Sequence, residues 1–329
     1  MLIIMDQGLC EVHGEQVLPA DWLACGEAVC AAEGSHLKAA ATRNGTLVLM
    51  DDYVREIRTG IDEPIESLLI LDELAPAVLL GTEGAHLYRA DELAVRRLSA
   101  FDALACRSQW HTPWGGPPAV RSLAAAGGWT YADIHVGSIM RSNDGGKSWQ
   151  PVAQSIDQDV HQVATCASAP RRIYANTASG FFLSEDCGSS WEHRAGGLGN
   201  RYGRAVAVSP VESDRVLATV SDGPHGDNVS GQLYLTTDGG RSWRHVCEGF
   251  PASTVENINT FCVAFTSDGR AWAAVENTLY LSSDGGERWA AFWRAPAAII
   301  ALAACGQSHG QETAASLHDR GAKRLSSAR

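Results

Sequence analysis

The chain has 329 residues, of which 45% are hydrophobic and 19% charged, a composition typical of a folded globular protein. Its net charge of -12 argues against a nucleic-acid partner, which would need a basic surface. The apolar run 1–5 lacks a basic flank and is too short for a signal peptide or a membrane span. The nine cysteines include no CxxC pair, which favours reduced thiols. We therefore expect a cytoplasmic monomer with no membrane partner.

Short strands recur along the first part of the chain. Three apolar stretches at 2–5, 9–13 and 16–18 are typical of strands. Two longer segments, about 27–59 and 65–99, each fit four short strands separated by turns. This rhythm predicts repeated small antiparallel sheets.

An eight-residue pattern recurs four times in the second part of the chain. Its copies are 142–149 (SNDGGKSW), 184–191 (SEDCGSSW), 236–243 (TTDGGRSW) and 282–289 (SSDGGERW). Their aspartates are 42, 52 and 46 residues apart, which is the length of a four-stranded propeller blade. The carboxylate can accept hydrogen bonds from loop amides, and glycine supplies the positive φ of a tight hairpin. The tryptophan can insert its ring between neighbouring blades. These roles predict that residues such as Asp144 and Asp238 stabilise turns and are not catalytic.

The four segments resemble the Asp-box, or BNR, repeat of sialidases, sortilin-type receptors and photosystem II stability factors. The resemblance implies an all-β propeller, and the strand rhythm extends the count to seven blades. The N-terminal strands would close the last blade, which the strand at 298–303 begins. We expect residues 1–305 to form the propeller and 306–329 to form a flexible C-terminal tail.

The resemblance does not extend to the sialidase catalytic set. No Arg-Ile-Pro motif occurs, and no arginine precedes Arg43. The sialidase-like repeat therefore implies the fold and not sialidase activity.

Strand direction sorts the candidate functional residues onto one face. Strands of a blade alternate in direction, so the start of every inner strand lies opposite the repeated aspartates. Polar residues near these starts precede their aspartates by 23, 25, 34 and 25 residues; they are Arg121, His161, Arg204 and Asn259. They should converge on the central channel.

Further candidates fall on the same face. His135 ends the second strand of its blade, Glu83 is its counterpart one blade earlier, and Tyr202 precedes an inner strand. The connection 101–118 adds Trp110 and Trp114. We assign His135, His161 and Tyr202 as candidate catalytic residues, and as candidate ligand contacts Arg121, Arg204, Asn259, Trp110, Trp114 and Glu83. Two arginines around one concavity favour a small anionic ligand or a protein segment as partner.

Several alternatives stay open at the level of sequence. The protein is either a binding module or a lyase or hydrolase that uses a channel histidine as acid or base. Either histidine could instead be structural, and the arginines could pair with Asp157 or Asp159. A zinc site from His135 and His161 is a further alternative, but no HxH or HExxH spacing supports it, so we predict no metal site, and the sequence identifies no cofactor.

Overall fold

The strands of the chain fall into inner ones, which are largely buried, and outer ones, which are largely exposed. In 65–71 every residue of the sequence IESLLIL is buried, whereas in 54–58 the sequence VREIR is largely exposed. An inner strand is covered on both faces, and its neighbours in the blade become progressively more exposed. The computed structural model describes residues 1–6, 8–71 and 76–304. The predicted tail, 306–329, lies outside the described residues.

The described strands form seven four-stranded antiparallel sheets. Blade 1 consists of β4 (Ala28–Glu33), β5 (Lys38–Thr42), β6 (Thr46–Met50) and β7 (Val54–Arg58). Blade 2 consists of β8 (Ile65–Leu71), β9 (Ala77–Thr82), β10 (Leu87–Ala90) and β11 (Val95–Arg97). Blade 3 consists of β12 (Val120–Ala126), β13 (Trp129–Ile134), β14 (Ser138–Ser142) and β15 (Gln150–Pro151). Blade 4 consists of β16 (Val160–Thr165), β17 (Ile173–Thr177), β18 (Gly180–Ser184) and β19 (Glu192–His193).

The remaining three blades complete the ring. Blade 5 consists of β20 (Tyr202–Val208), β21 (Val216–Ser221), β22 (Gln232–Thr236) and β23 (Arg244–His245). Blade 6 consists of β24 (Val263–Phe265), β25 (Ala271–Val275), β26 (Thr278–Ser282) and β27 (Ala290–Arg294). Blade 7 consists of β28 (Ile299–Ala303), β1 (Leu2–Met5), β2 (Gly8–His13) and β3 (Gln16–Pro19). A short helix, α1 (Ser99–Asp102), and a 3₁₀ turn (Ala105–Gln109) connect blades 2 and 3. The protein is a seven-bladed β-propeller.

Blade 7 contains both ends of the described chain. β1 pairs antiparallel with β28, so that Leu2 lies opposite Ala303 and Ile3 opposite Leu302. This pairing satisfies the backbone groups of the innermost strand and closes the ring. The prediction that N-terminal strands complete the last blade is confirmed.

The hydrophobic core lies between the blades. The described residues contain six clusters of buried apolar side chains, and each combines residues from neighbouring blades. Phe261 joins the cluster between blades 7 and 1, and its amide donates to Oε1 of Gln162 in blade 4 at 3.0 Å. Phe261, which precedes β24 of blade 6, therefore contacts blade 4 as well as the interface between blades 7 and 1. No helix among the described residues is long and apolar enough to cross a membrane.

The four repeated turns share one hydrogen-bond pattern. In 142–149, Asp144 accepts from the hydroxyl of Ser142 at 2.8 Å and from the amide of Ser148 at 3.0 Å. The amide of Gly146 donates to the Ser142 hydroxyl at 3.0 Å. Equivalent bonds surround Asp186, Asp238 and Asp284. These local bonds account for the aspartates as turn-forming residues.

Candidate functional site

A β-bulge interrupts the start of the inner strand in six of the seven described blades. The bulges shift the register against the second strand at equivalent points of β4, β8, β12, β16, β20 and β28. Each inserts extra backbone into one strand and redirects a side chain. The residues at the shifts include Val29, Glu66, Arg121, His161 and Arg204. We call the end of the channel that these starts surround the channel mouth.

His161 is fully buried and held at both ring nitrogens. Nδ1 faces the carbonyl oxygen of Gly203, and Nε2 lies 3.3 Å from the hydroxyl of Tyr202. A carbonyl only accepts hydrogen bonds, so this contact places the ring proton on Nδ1. Position 203 requires glycine, because a Cβ there would lie 2.0 Å from Oδ1 of Asn176. The close approach of β20 to blade 4 therefore sets the orientation of His161.

Asp159 lies between the two channel histidines. Its Oδ1 is 3.3 Å from Nε2 of His161 and 3.7 Å from Nε2 of His135. The side chain of Asp157 fixes the preceding loop by accepting from the amide of Asp159 at 2.9 Å and from the hydroxyl of Ser179. The carbonyl of Asp159 accepts from the amide of Ala178 at 2.9 Å. A short turn thus positions this carboxylate at the mouth.

His135 lies at the end of β13, beside the start of its inner strand. Its amide donates to the carbonyl of Ala119 at 3.0 Å. Its ring centroid is 4.8 Å from that of Trp114 and 6.4 Å from that of His161. His135 is only 8% exposed, whereas Trp114 is 50% exposed. The indole therefore forms the outer wall of the site, with His135 beneath it.

Burial and two guanidinium groups keep the imidazoles neutral. Burial is the main cause that lowers the pKa of His135 to about 2, and Arg121 and Arg204 act in the same direction. Burial and the same arginines also lower the pKa of His161, although Asp159 opposes this shift. At neutral pH both rings are uncharged and each keeps one nitrogen lone pair.

The two carboxyl groups of the site differ in charge. Burial raises the pKa of Asp159, but the contacts with His161 and His135 and the positive charge of Arg121 outweigh it and bring the pKa to about 2. Burial raises the pKa of Asp133 well above its usual range, against the opposing effects of Arg121 and of Ser122, whose hydroxyl donates to it at 3.0 Å. Asp159 is therefore ionised, while its environment favours the protonated form of Asp133.

Arg204 stands beside Tyr202 at the start of β20. Its guanidinium carbon is 5.1 Å from the centroid of the Tyr202 ring, and Nη2 donates to the carbonyl of Pro224 at 3.4 Å. The loop that carries Pro224 is the insertion between β21 and β22, which lies on the face of the channel mouth. The structure thus brings together six predicted residues: His135, His161, Tyr202, Arg121, Arg204 and Trp114.

The other three predicted residues are placed differently. Trp110 is 8% exposed and packs against Phe101 in the core, with ring centroids 5.6 Å apart, so its place is structural. Asn259 precedes a turn in which Phe261 has φ of 65°; its inner strand begins only at Val263. Strand β24 is therefore shorter than predicted and does not bring Asn259 to its start. Glu83 forms an isolated bridge with Ala119, which places its backbone beside β12.

Sequence comparison with known proteins gives a partial match to one family model and to one curated enzyme. The family model "Sortilin, neurotensin receptor 3" matches residues 137–257. An oligoxyloglucan-reducing end-specific xyloglucanase of Emericella nidulans is 27% identical over 155 residues, which cover 41% of this chain and 18% of the enzyme. The chain thus spans less than a fifth of that curated relative.

Solved structures resemble the chain in fold. A GH74 enzyme of Niastella koreensis has a TM-score of 0.64 at 13% identity, covering 89% of this chain and 52% of that one. The GH74 xyloglucanase of Xanthomonas campestris has a TM-score of 0.59 at 18% identity, covering 81% and 45%. YCF48 of Cyanidioschyzon merolae has a TM-score of 0.56 at 15% identity, covering 83% and 92%. At such identities the likeness concerns the propeller fold alone.

Two acidic residues at the channel mouth were not predicted from the sequence to belong to the site. Asp159 was considered only as an ion-pair partner of an arginine, although it lies against both histidines. Glu66 is 6% exposed and occupies the bulge of β8, the position that Arg121 has in β12. Comparing inner strands position by position, including those without the eight-residue pattern, would have found Glu66.

Proposed function

We propose that the protein binds a small anionic ligand, with a carboxylate as the recognised group, at the channel mouth. The observation that carries the proposal is the convergence of Arg121 and Arg204 on the two buried histidines. Of the ionised groups that act on His135, two are guanidinium groups and one is the carboxylate of Asp159. Positive groups therefore outnumber negative ones around His135, in a chain with a net charge of -12.

The surrounding groups suit a small ligand with one charged end. Arginine binds carboxylates through paired, charge-assisted hydrogen bonds. The half-exposed ring of Trp114 offers an apolar wall, and the Tyr202 hydroxyl adds a polar contact at the floor. On the opposite face, the aspartates of the repeated turns accept hydrogen bonds within their own loops.

The test is a calorimetric titration with small mono- and dicarboxylates, phosphate and neutral xyloglucan oligosaccharides, in the presence of EDTA. We expect a carboxylate to bind the wild type and Arg204→Gln to weaken it by roughly tenfold to a hundredfold, the loss of one hydrogen bond between charged groups. The control is Arg172→Gln, because Arg172 is partly buried on the opposite face and pairs with Asp214 at 2.6 Å. Selective binding of the neutral oligosaccharide, or equal losses in both variants, would contradict the proposal.

A second candidate function, acid–base catalysis on such a ligand, is favoured by one contact. The Tyr202 hydroxyl, Nε2 of His161 and Oδ1 of Asp159 form a series with successive distances of 3.3 Å and 3.3 Å. Such a series can transfer a proton between a substrate and the imidazole. We expect Tyr202→Phe to retain ligand binding and to abolish any turnover that mass spectrometry detects with the wild type. Equal turnover by both proteins would refute this assignment.

A further inference from the structure

Three metal-ligating atoms meet at the channel mouth. His135, Asp159 and His161 each offer one such atom, and these three atoms lie within 4.8 Å of one another. Oδ1 of Asp159 lies 3.7 Å from Nε2 of His135 and 3.3 Å from Nε2 of His161. A tetrahedral metal with bonds of about 2.1 Å separates its ligand atoms by roughly 3.4 Å, so two edges of the triangle already have this size.

The tautomer of His161 directs a lone pair into the triangle. Because Nδ1 faces the carbonyl of Gly203, its proton is committed there and Nε2 has none. This backbone contact is the arrangement that commonly orients metal-binding imidazoles. Nε2 can then accept from Tyr202, but it has no proton to give to Asp159.

Oδ1 of Asp159 gives an independent indication. This oxygen is buried and has no hydrogen-bond partner within the described part of the chain, although two imidazole nitrogens lie nearby. An acceptor facing an unprotonated nitrogen at 3.3 Å is unfavourable, and either a proton on the nitrogen or a metal ion between the two atoms relieves it. The same position would satisfy all three donors at once.

We infer that His135, Asp159 and His161 form a binding site for a divalent transition metal ion. Two imidazoles and one carboxylate, without a thiolate, suit Zn²⁺, Co²⁺ or Fe²⁺ better than Ca²⁺, which prefers oxygen ligands. Three protein ligands leave a position open to solvent, and the Tyr202 hydroxyl lies beside it. This proposal differs from the sequence-based prediction of no metal site and takes up the zinc alternative at the same two histidines. It does not depend on the proposed anion.

The nearby arginines limit the affinity of the site. Arg121 and Arg204 act electrostatically on both histidines and repel a dication, while Asp159 attracts it. The carboxylate should therefore contribute strongly to binding, and its replacement by an amide should weaken binding at least as much as loss of His135.

The test uses Co²⁺ alone, in a buffer without carboxylates or phosphate, with full-length protein that carries no histidine tag. We expect one Co²⁺ per chain, with visible absorption bands that reveal nitrogen coordination. Asp159→Asn, which keeps the shape of the side chain, and His135→Gln should each weaken Co²⁺ binding by roughly a hundredfold. His86→Gln is the matched control, because His86 also lies between carboxylates, 2.7 Å from Asp102 and 3.5 Å from Glu63.

The outcomes distinguish the loss of a metal ligand from a defect in folding. Unfolding midpoints of the two site variants close to that of the wild type show that lost binding reflects lost ligands. Unchanged Co²⁺ affinity in Asp159→Asn, no binding by the wild type, or an equal loss in His86→Gln would overturn the inference. Since the anion titration is run in EDTA and the Co²⁺ titration without anions, either proposal can fail alone.

Discussion

At the scale of single residues, the same side-chain type has opposite roles on the two faces. Asp144 is an exposed acceptor within its own turn, while Asp159 is a half-buried carboxylate set against two imidazoles. Hydrogen bonds from Ser148 lower the pKa of Asp144 to about 2, whereas the pKa of Asp159 reaches about 2 only because the two histidines and Arg121 outweigh its burial. Position in the blade, and not residue type, distinguishes the scaffold from the site.

The turn aspartates predict a defined acid dependence of stability. Because the folded pKa of Asp144 is about 2 and its usual value is 3.8, the ionised form stabilises the fold above pH 4. This contribution should be lost as the pH falls from about 4 to about 2. We expect Asp144→Asn to be less stable than the wild type at pH 6, with the difference shrinking toward pH 2 in urea unfolding experiments. A difference that stays constant over this range would mean that ionisation of Asp144 does not stabilise the turn.

At the scale of elements, the repeated tryptophans link one blade to the preceding one. Trp243 follows the turn of blade 5, and its ring lies edge-on to Phe181 of blade 4 with centroids 5.0 Å apart. Its Nε1 donates to the carbonyl of Arg194 at 2.8 Å. Trp289 packs against Phe250, in the connection that follows blade 5, with tilted rings whose centroids are 5.5 Å apart, and its Nε1 donates to the carbonyl of Gly286 in its own turn. The eight-residue pattern therefore forms a turn and anchors it to the neighbouring blade.

Replacing one of these anchors should cost substantial stability. We expect Trp243→Ala to lower the free energy of unfolding by about 3–5 kcal/mol, as removal of a packed indole does. Trp114→Ala, at a half-exposed ring, is the control and should change it by less than about 1 kcal/mol. Denaturant unfolding of both variants measures the difference. Similar small effects would show that Trp243 does not hold blades 4 and 5 together.

The blades could be predicted from the sequence, whereas the details of the mouth could not. Strand rhythm and the spacing of aspartates are local patterns, and they placed His161 and Arg204 near the starts of inner strands. A bulge adds a residue to a strand without changing the pattern of apolar residues. The orientation of these side chains could therefore not be predicted from the sequence. Trp110 is buried because it packs against Phe101, and no local sequence pattern predicts this tertiary contact.

At the scale of the whole molecule, ring closure depends on the first residues of the chain. Ile3 and Leu302 are fully buried and lie opposite each other in blade 7. The propeller therefore has no free inner strand within its described part, and its ends are joined by strand pairing alone. A rigid ring in turn keeps side chains from blades 3, 4 and 5 together at one mouth.

Weakening the closure should destabilise the whole ring. We expect Ile3→Ala to lower the free energy of unfolding by about 2–5 kcal/mol, because a buried aliphatic side chain leaves a cavity. Leu18→Ala is the matched control in the outer strand of the same blade, where Leu18 is 44% exposed. Thermal unfolding monitored by circular dichroism compares the two. Equal midpoints would show that β1 adds little to closure.

The central claim is that the channel mouth, and not the face of the repeated turns, binds an anionic ligand. Its most direct measurement is the anomalous scattering from crystals soaked in a bromine-substituted small carboxylate that binds in solution. The account predicts one strong bromine peak at the mouth, with the carboxylate against Arg121 or Arg204 and the bromine toward Trp114. A peak among the repeated turns, with none at the mouth, would contradict it.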